Sequence, residues 1–169
     1  MGIEQMGVEQ IGVAPIITIA PVRKQVTVAA SQQRAFALFT SEMSRWWPGT
    51  HSILQSPLKQ YIVEPRVGGR WYAVAEDGST GQTGYVMEWQ PPERLVLAWQ
   101  LSADWQFDPD LVTEVEVRFI AETDNSTRVE LEHRNLQRMG DKAAQVRGMV
   151  DAPGGWTAVL ECFKKCAAA

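Results

Sequence analysis

The chain of 169 residues has the size of one domain, because a single hydrophobic core serves chains of about 50 to 200 residues. Apolar residues at 45% and charged residues at 21% exclude bulk disorder and fibrous repeats. A formal net charge of -4, with basic residues scattered except for Arg23-Lys24 and Lys164-Lys165, excludes a protein that grips nucleic acid or an anionic membrane through a basic face.

Residues 2–16 repeat with a period of five, from Gly2 to Met6, Gly7 to Ile11 and Gly12 to Ile16. That period fits neither helix nor strand, so residues 1–16 are expected to be a mobile N-terminal tail or an added edge strand, and 17–166 a single domain. No basic segment leads into an apolar run, and no apolar run approaches the roughly 20 residues of a membrane span. A cytoplasmic location is therefore expected. Position 6 is Met6, where N-myristoylation after Met-Gly wants Ser or Thr.

From Ile17 to Ala29 the residues are rich in Ile, Val and Thr and are interrupted by Pro21, which predicts a first strand with an irregular start. Ser31 is an N-cap for a helix carrying Ala35, Phe36, Leu38 and Phe39. A second short helix follows through Met43 to Trp47 and stops at Pro48. Beyond a loop with His51 come six strand-like runs: Tyr61 to Glu64, Arg70 to Ala75, Gln82 to Gln90, Arg94 to Leu101, Leu111 to Ala121 and Thr127 to His133. Turn residues at Gly68-Gly69, Asp77-Gly78, Pro91-Pro92 and Asp124-Asn125 separate several of them.

Alternation is clearest in the last two strands. Val115, Val117 and Phe119 share one face, as do Val129, Leu131 and His133, while Glu114, Glu116, Arg118, Arg128, Glu130 and Glu132 take the other. The dry face needs an apolar cover. Trp156, Val159, Leu160 and Phe163 recur at helical spacing and supply it. Asp141 to Val150 reads as a preceding helical piece, and Pro153-Gly154-Gly155 marks the approach to the last helix. Cys162 and Cys166 fall on that helix, where spacing by four is poor disulfide geometry, so both are expected to be free thiols.

The run Ala35-Phe36-Ala37-Leu38-Phe39-Thr40 with Trp46-Trp47-Pro48, then Gly68-Gly69-Arg70-Trp71, then the segment from Gly84 to Trp99, and finally Thr127 to His133 with Gly155-Trp156, together resemble the group named for the activator of the heat-shock protein 90 ATPase. That group lies within the START-like, polyketide-cyclase-like superfamily. The resemblance covers Val26 to about Phe163 and implies an α+β helix-grip fold. In that fold a seven-stranded curved antiparallel sheet wraps around a long C-terminal helix, with two short helices after the first strand and an internal cavity. Superfamily members include lipid carriers, hormone receptors and aromatase/cyclases, so the fold alone leaves the chemistry open.

Seven tryptophans are many for so short a chain, and such large amphipathic rings suit a binding surface. Trp46, Trp47, Trp71, Tyr85, Trp99, Trp105, His133 and Trp156 are the expected ligand-binding wall. Trp46 and Trp47 border the mouth or plug the core. Trp71 and Trp99 share strand parity with Ala73, Ala75, Leu95 and Leu97. His133 offers a polar contact or an acid-base group, but the sequence gives it no orienting partner, which favours a hydrogen-bonded strand histidine. His51 sits in a loop within reach of the mouth.

No serine or cysteine stands in a nucleophile elbow, and two histidines with two distant cysteines do not make a metal set. The run Gly78 to Gly84 joins two strands and lacks the ending of a phosphate loop. The sequence thus predicts an apolar cavity for a hydrophobic or aromatic small molecule, with no cofactor, no metal and no catalytic residue assigned. The alternatives are a chaperone- or partner-interacting protein, a second copy of the chain being one such partner, and a cyclase- or hydrolase-type enzyme using His133.

Overall fold

The computed structural model describes residues 18–169, and the glycine-led repeat lies outside them. Strand β1, Val22–Val28, begins only after Pro21, a residue with no N–H to give to a ladder. Helix α1, Gln32–Thr40, starts where the Ser31 hydroxyl accepts the Arg34 N–H at 3.1 Å, satisfying one of the donors a helix leaves unpaired at its start. It buries Ala35, Phe36, Leu38 and Phe39. The second short helix is a single 3-10 turn, Met43–Arg45, after which the indoles of Trp46 and Trp47 are both buried.

Six further strands follow: β2 Leu58–Val63, β3 Arg70–Ala75, β4 Thr80–Gln90, β5 Arg94–Trp99, β6 Thr113–Thr123 and β7 Ser126–Arg134. They form one antiparallel sheet in the order β1-β7-β6-β5-β4-β3-β2. Strands β2 to β7 are a meander, and β1 closes the far edge against β7, from Val22 opposite His133 to Val28 opposite Thr127. Alternation then sorts the side chains. Leu95, Leu97, Val115, Val117, Phe119, Val129 and Leu131 are buried on the inner face.

The outer face is a lattice of charges. Arg94 and Arg134 both donate to the Glu116 carboxylate, and each reaches on to another carboxylate, Glu88 for Arg94 at 2.7 Å and Glu114 for Arg134 at 3.1 Å. Partial burial pushes Glu116 up, but the hydrogen bonds from Arg94 and Arg134 hold it below the ordinary carboxylate range.

The inner face is covered by a 3-10 segment, Leu136–Lys142, and two helices, α2 Ala143–Asp151 and α3 Ala158–Ala168. Between the helices lies a wide turn, Pro153–Thr157, in which Gly155 takes φ -87° and ψ -129°. A Cβ at Gly155 would sit 2.3 Å from the Val150 carbonyl oxygen, so only glycine lets the chain pass this close. Trp156, ahead of α3, is buried with Val159, Leu160 and Phe163 in the phase the sequence predicts.

One end of the interior is solid. There Phe36, Phe39, Trp46, Phe119 and Phe163 pack with ring centroids 5.0 to 5.7 Å apart, mostly edge to face, the arrangement that ring quadrupoles favour. Among the described residues no helix is long and apolar enough to cross a membrane.

Candidate functional site

The other end is hollow. A cavity of about 300 Å³ lies between the sheet and the helices, lined by the 47–53 segment, Leu58 and Tyr61 of β2, Ala73 of β3, Thr83 of β4, Trp99 of β5, Leu101 and Trp105 beyond it, Met149 and Val150 of α2, Gly154 to Trp156 of the wide turn, and Val159 of α3. Its wall is chiefly aromatic. Trp47 meets Tyr61 edge-on at 4.8 Å and Trp156 at 6.1 Å, and Trp156 meets Trp99 at 5.4 Å.

Each ring has a reason for its position. The Trp47 indole donates to the His51 carbonyl at 2.9 Å, which folds the loop after the 3-10 turn back over the ring. The Tyr61 ring stacks on Trp71 at 5.5 Å and 18°. Trp105 adopts φ +60° in the loop after β5 and remains 41% exposed. Left-handed backbone is unfavourable for a side chain of this size, and here it carries the indole to within 6.3 Å of Trp99 at the cavity mouth.

Polar groups are few. Tyr61 and Thr83 touch hydroxyl to hydroxyl at 2.5 Å. Thr83 reaches the cavity because β4 carries a bulge there: the register steps from Trp71 opposite Gly84 to Tyr72 opposite Gln82. At the mouth, His51 Nε2 lies 2.6 Å from the Gly154 carbonyl and Nδ1 lies 3.0 Å from the Thr50 hydroxyl. A carbonyl only accepts, so Nε2 carries the proton and, in the neutral ring, Nδ1 accepts from Thr50. Protonating Nδ1 needs only a rotation of the Thr50 hydroxyl, and neither contact is lost.

Of the residues the sequence singled out, Trp47, Trp99, Trp105 and Trp156 line the cavity. Trp46 sits in the solid end, its N–H donated to the Leu38 carbonyl at 2.8 Å. Trp71 lies one layer behind Tyr61 and Trp99, and its N–H has no partner among the described residues. Tyr85 lies on the outer face, with Arg70 and Ala98 as cross-strand neighbours. The bulge at Thr83 shifts the alternation by one, so Tyr85, two residues along, does not share its side.

His133 is fully buried behind Trp99 and Trp156, at ring distances of 5.3 and 5.8 Å. The Trp156 N–H can only donate, so His133 Nδ1 accepts it at 3.1 Å and the ring proton is on Nε2. Nε2 donates to Thr113 Oγ1 at 2.8 Å, which donates in turn to the Trp99 carbonyl at 3.1 Å. Every donor in this chain has its acceptor, and burial pushes the imidazole down to about 3. His133 is a neutral strut that fixes Trp99 and Trp156. Sequence reasoning passed over Tyr61 and Thr83 as wall residues, and it marked Pro153-Gly154-Gly155 as the approach to the last helix without placing it at the cavity. Tyr61 alone carried a signal, its parity with Val63 on a strand facing Trp71 and Ala73.

The described residues hold no group of three or more His, Cys, Asp or Glu side chains placed to bind a metal ion.

Comparison with known proteins places this architecture. Among curated proteins none matches the chain. Among solved structures, the chain is similar to an anthrahydroquino-gamma-pyrone synthase, Txn09, at 38% identity over 88% of this chain and 97% of that one, with a TM-score of 0.63. It is also similar to CalC, a self-sacrificing resistance protein from Micromonospora echinospora, at 32% identity over 87% and 93% of the two chains, with a TM-score of 0.66. The Aha1 dimer from Colwellia psychrerythraea shares the fold at 16% identity, over 88% and 96% of the two chains, with a TM-score of 0.55. The profile of the Activator of Hsp90 ATPase homolog 1-like protein family matches residues 29–168, and the chain belongs to that family, with its helix-grip fold.

Proposed function

We propose that this protein binds a flat, fused-ring aromatic small molecule in the cavity between the sheet and the broken helical cover. The observation that carries the reading is the wall itself: Trp47, Tyr61, Trp99 and Trp156 border one cavity of about 300 Å³, a volume at the small end of the roughly 300–1,000 Å³ of ligand sites. Planar rings on several sides suit a planar ligand, which gains stacked and edge-to-face contacts beyond simple burial. The name of the relative at 38% identity places a fused-ring aromatic in that protein's chemistry, which supports the same class here. The free thiols of Cys162 and Cys166 support a reducing, cytoplasmic setting.

Calorimetric titration with anthraquinone-2-sulfonate, palmitate and cholesterol sulfate tests the reading. The fused-ring aromatic binds and the other two do not. Tighter binding of palmitate or the sterol contradicts it, as does the absence of binding by all three.

A second reading, proton transfer on the bound molecule during ring closure, is favoured by the His51 geometry. Its Nδ1 takes up a proton through the Thr50 hydroxyl without losing a contact, as a general base requires. Deuterium exchange into anthrone, an enolisable three-ring ketone, is accelerated by the wild-type protein and not by His51→Gln. Equal rates with the two proteins refute it.

A further inference from the structure

The hydroxyls of Tyr61 and Thr83 bring two hydrogens into the cavity wall, and their mutual contact at 2.5 Å is the one polar contact of either hydroxyl among the described residues. Whichever oxygen donates, one hydrogen is used and the other has no acceptor. Both residues are buried, at 5% and 1% exposure, so water outside the fold does not serve it. Burying a donor without an acceptor is unfavourable. Both side chains line the cavity, which is where the spare hydrogen can find a partner.

The geometry around the pair fixes it. Tyr61 is held between Trp71, stacked at 5.5 Å, and Trp47, edge-on at 4.8 Å, so the phenol cannot swing to solvent. The bulge in β4 pins Thr83 by a second tie, the Gln100 N–H donating to the Thr83 carbonyl at 2.8 Å. Burial also pushes the Tyr61 phenol up, which keeps it protonated near neutral pH, a donor and not a base.

We infer that the Tyr61–Thr83 pair anchors a carbonyl oxygen of the ligand, of the quinone or aryl-ketone kind. The inference rests on the cavity being the aromatic site proposed above and adds the chemical class that it selects. A ligand hydroxyl would bring one more hydrogen needing an acceptor. A carbonyl oxygen brings only lone pairs and matches the single surplus donor. An aromatic hydrocarbon of the same shape would leave that hydrogen unpaired, so the site discriminates between the two by a hydrogen bond and not by size.

The test compares anthraquinone-2-sulfonate with anthracene-2-sulfonate, which share ring outline and charge and differ in the two carbonyls. Wild-type protein is expected to bind the quinone about tenfold more tightly and to lower the stretching frequency of one carbonyl. The double variant Tyr61→Phe/Thr83→Val, which removes both hydrogens, brings the affinity ratio close to one and abolishes the frequency shift, whereas either single substitution leaves one unpaired hydroxyl hydrogen and keeps a preference. Thr83→Ser, which keeps a hydroxyl, retains the preference. A wild-type ratio near one, or a preference that survives in the double variant, overturns the anchor and leaves the aromatic site standing. If neither sulfonate binds, the anchor and the aromatic site fall together.

Discussion

Replacing His133 by Gln removes a proton acceptor that the fold holds neutral, and the consequence is a defined change in how stability depends on pH. The imidazole is fully buried and pushed down to about 3 from an ordinary 6.5. Because the folded value lies below the unfolded one, the contribution is fully present above pH 6.5 and is lost as pH falls from 6.5 towards 3. At pH 5 the unfolded chain has taken up a proton that the native chain refuses, which costs the wild type about 2 kcal/mol. At pH 7.5 the variant is the weaker protein by about 1–3 kcal/mol, since Gln reaches Thr113 but leaves the Trp156 N–H without its acceptor. Urea titrations of both proteins at pH 7.5 and pH 5 measure the two differences, and the shared carboxylates and His51 cancel. The stability gap is expected to narrow by about 2 kcal/mol on acidification. Parallel pH profiles refute the neutral, Nε2-protonated strut.

Three other substitutions probe how the cavity is framed. Gly84→Ala places a Cβ 1.6 Å from the Ala98 carbonyl oxygen, so β4 and β5 must separate beside Thr83; a loss of more than about 3 kcal/mol is expected in chemical denaturation, and a Tm equal to wild type contradicts the register. Leu160→Ala, at a site 1% exposed, should cost about 2–5 kcal/mol, and a smaller loss would mean that α3 packs loosely on the sheet. Trp105→Gly relieves left-handed strain of about 1–2 kcal/mol and gives up a ring that is already 41% exposed. Stability therefore moves by less than about 1 kcal/mol while release of anthraquinone-2-sulfonate in stopped-flow accelerates several-fold; slower release contradicts its place at the mouth.

The features that sequence made legible are local or strictly periodic. Ser31 ahead of an apolar helical pattern, the alternation of Val115, Val117 and Phe119 against Glu114, Glu116 and Arg118, and the spacing of Trp156, Val159, Leu160 and Phe163 each follow from a period or a cap. Pro153-Gly154-Gly155 likewise marked the break in the helical cover, though not the close approach to Val150 that makes Gly155 obligatory. What stayed hidden depends on distant partners. Thr83 enters the wall, and Tyr85 leaves it, because one extra residue in β4 is absorbed opposite β3, and no local pattern announces that register step. His133 looked like a ligand contact because its parity is correct. Its fate was decided by Trp156 and Thr113, 23 and 20 residues away. The tryptophans divide in the same way: parity placed Trp71 and Trp99 on the inner face, but only packing separates Trp99 at the cavity from Trp71 behind it.

The seven indole N–H groups give the most direct test of the aromatic site. In ¹H–¹⁵N spectra recorded during titration with anthraquinone-2-sulfonate, the indole signals of Trp47, Trp99, Trp105 and Trp156 should shift. Those of Trp46, in the solid end, and Trp89, packed on Phe36 at 5.2 Å, should stay in place. Shifts confined to Trp46 or Trp89, or a spectrum that does not change at saturating ligand, would contradict an aromatic ligand in this cavity.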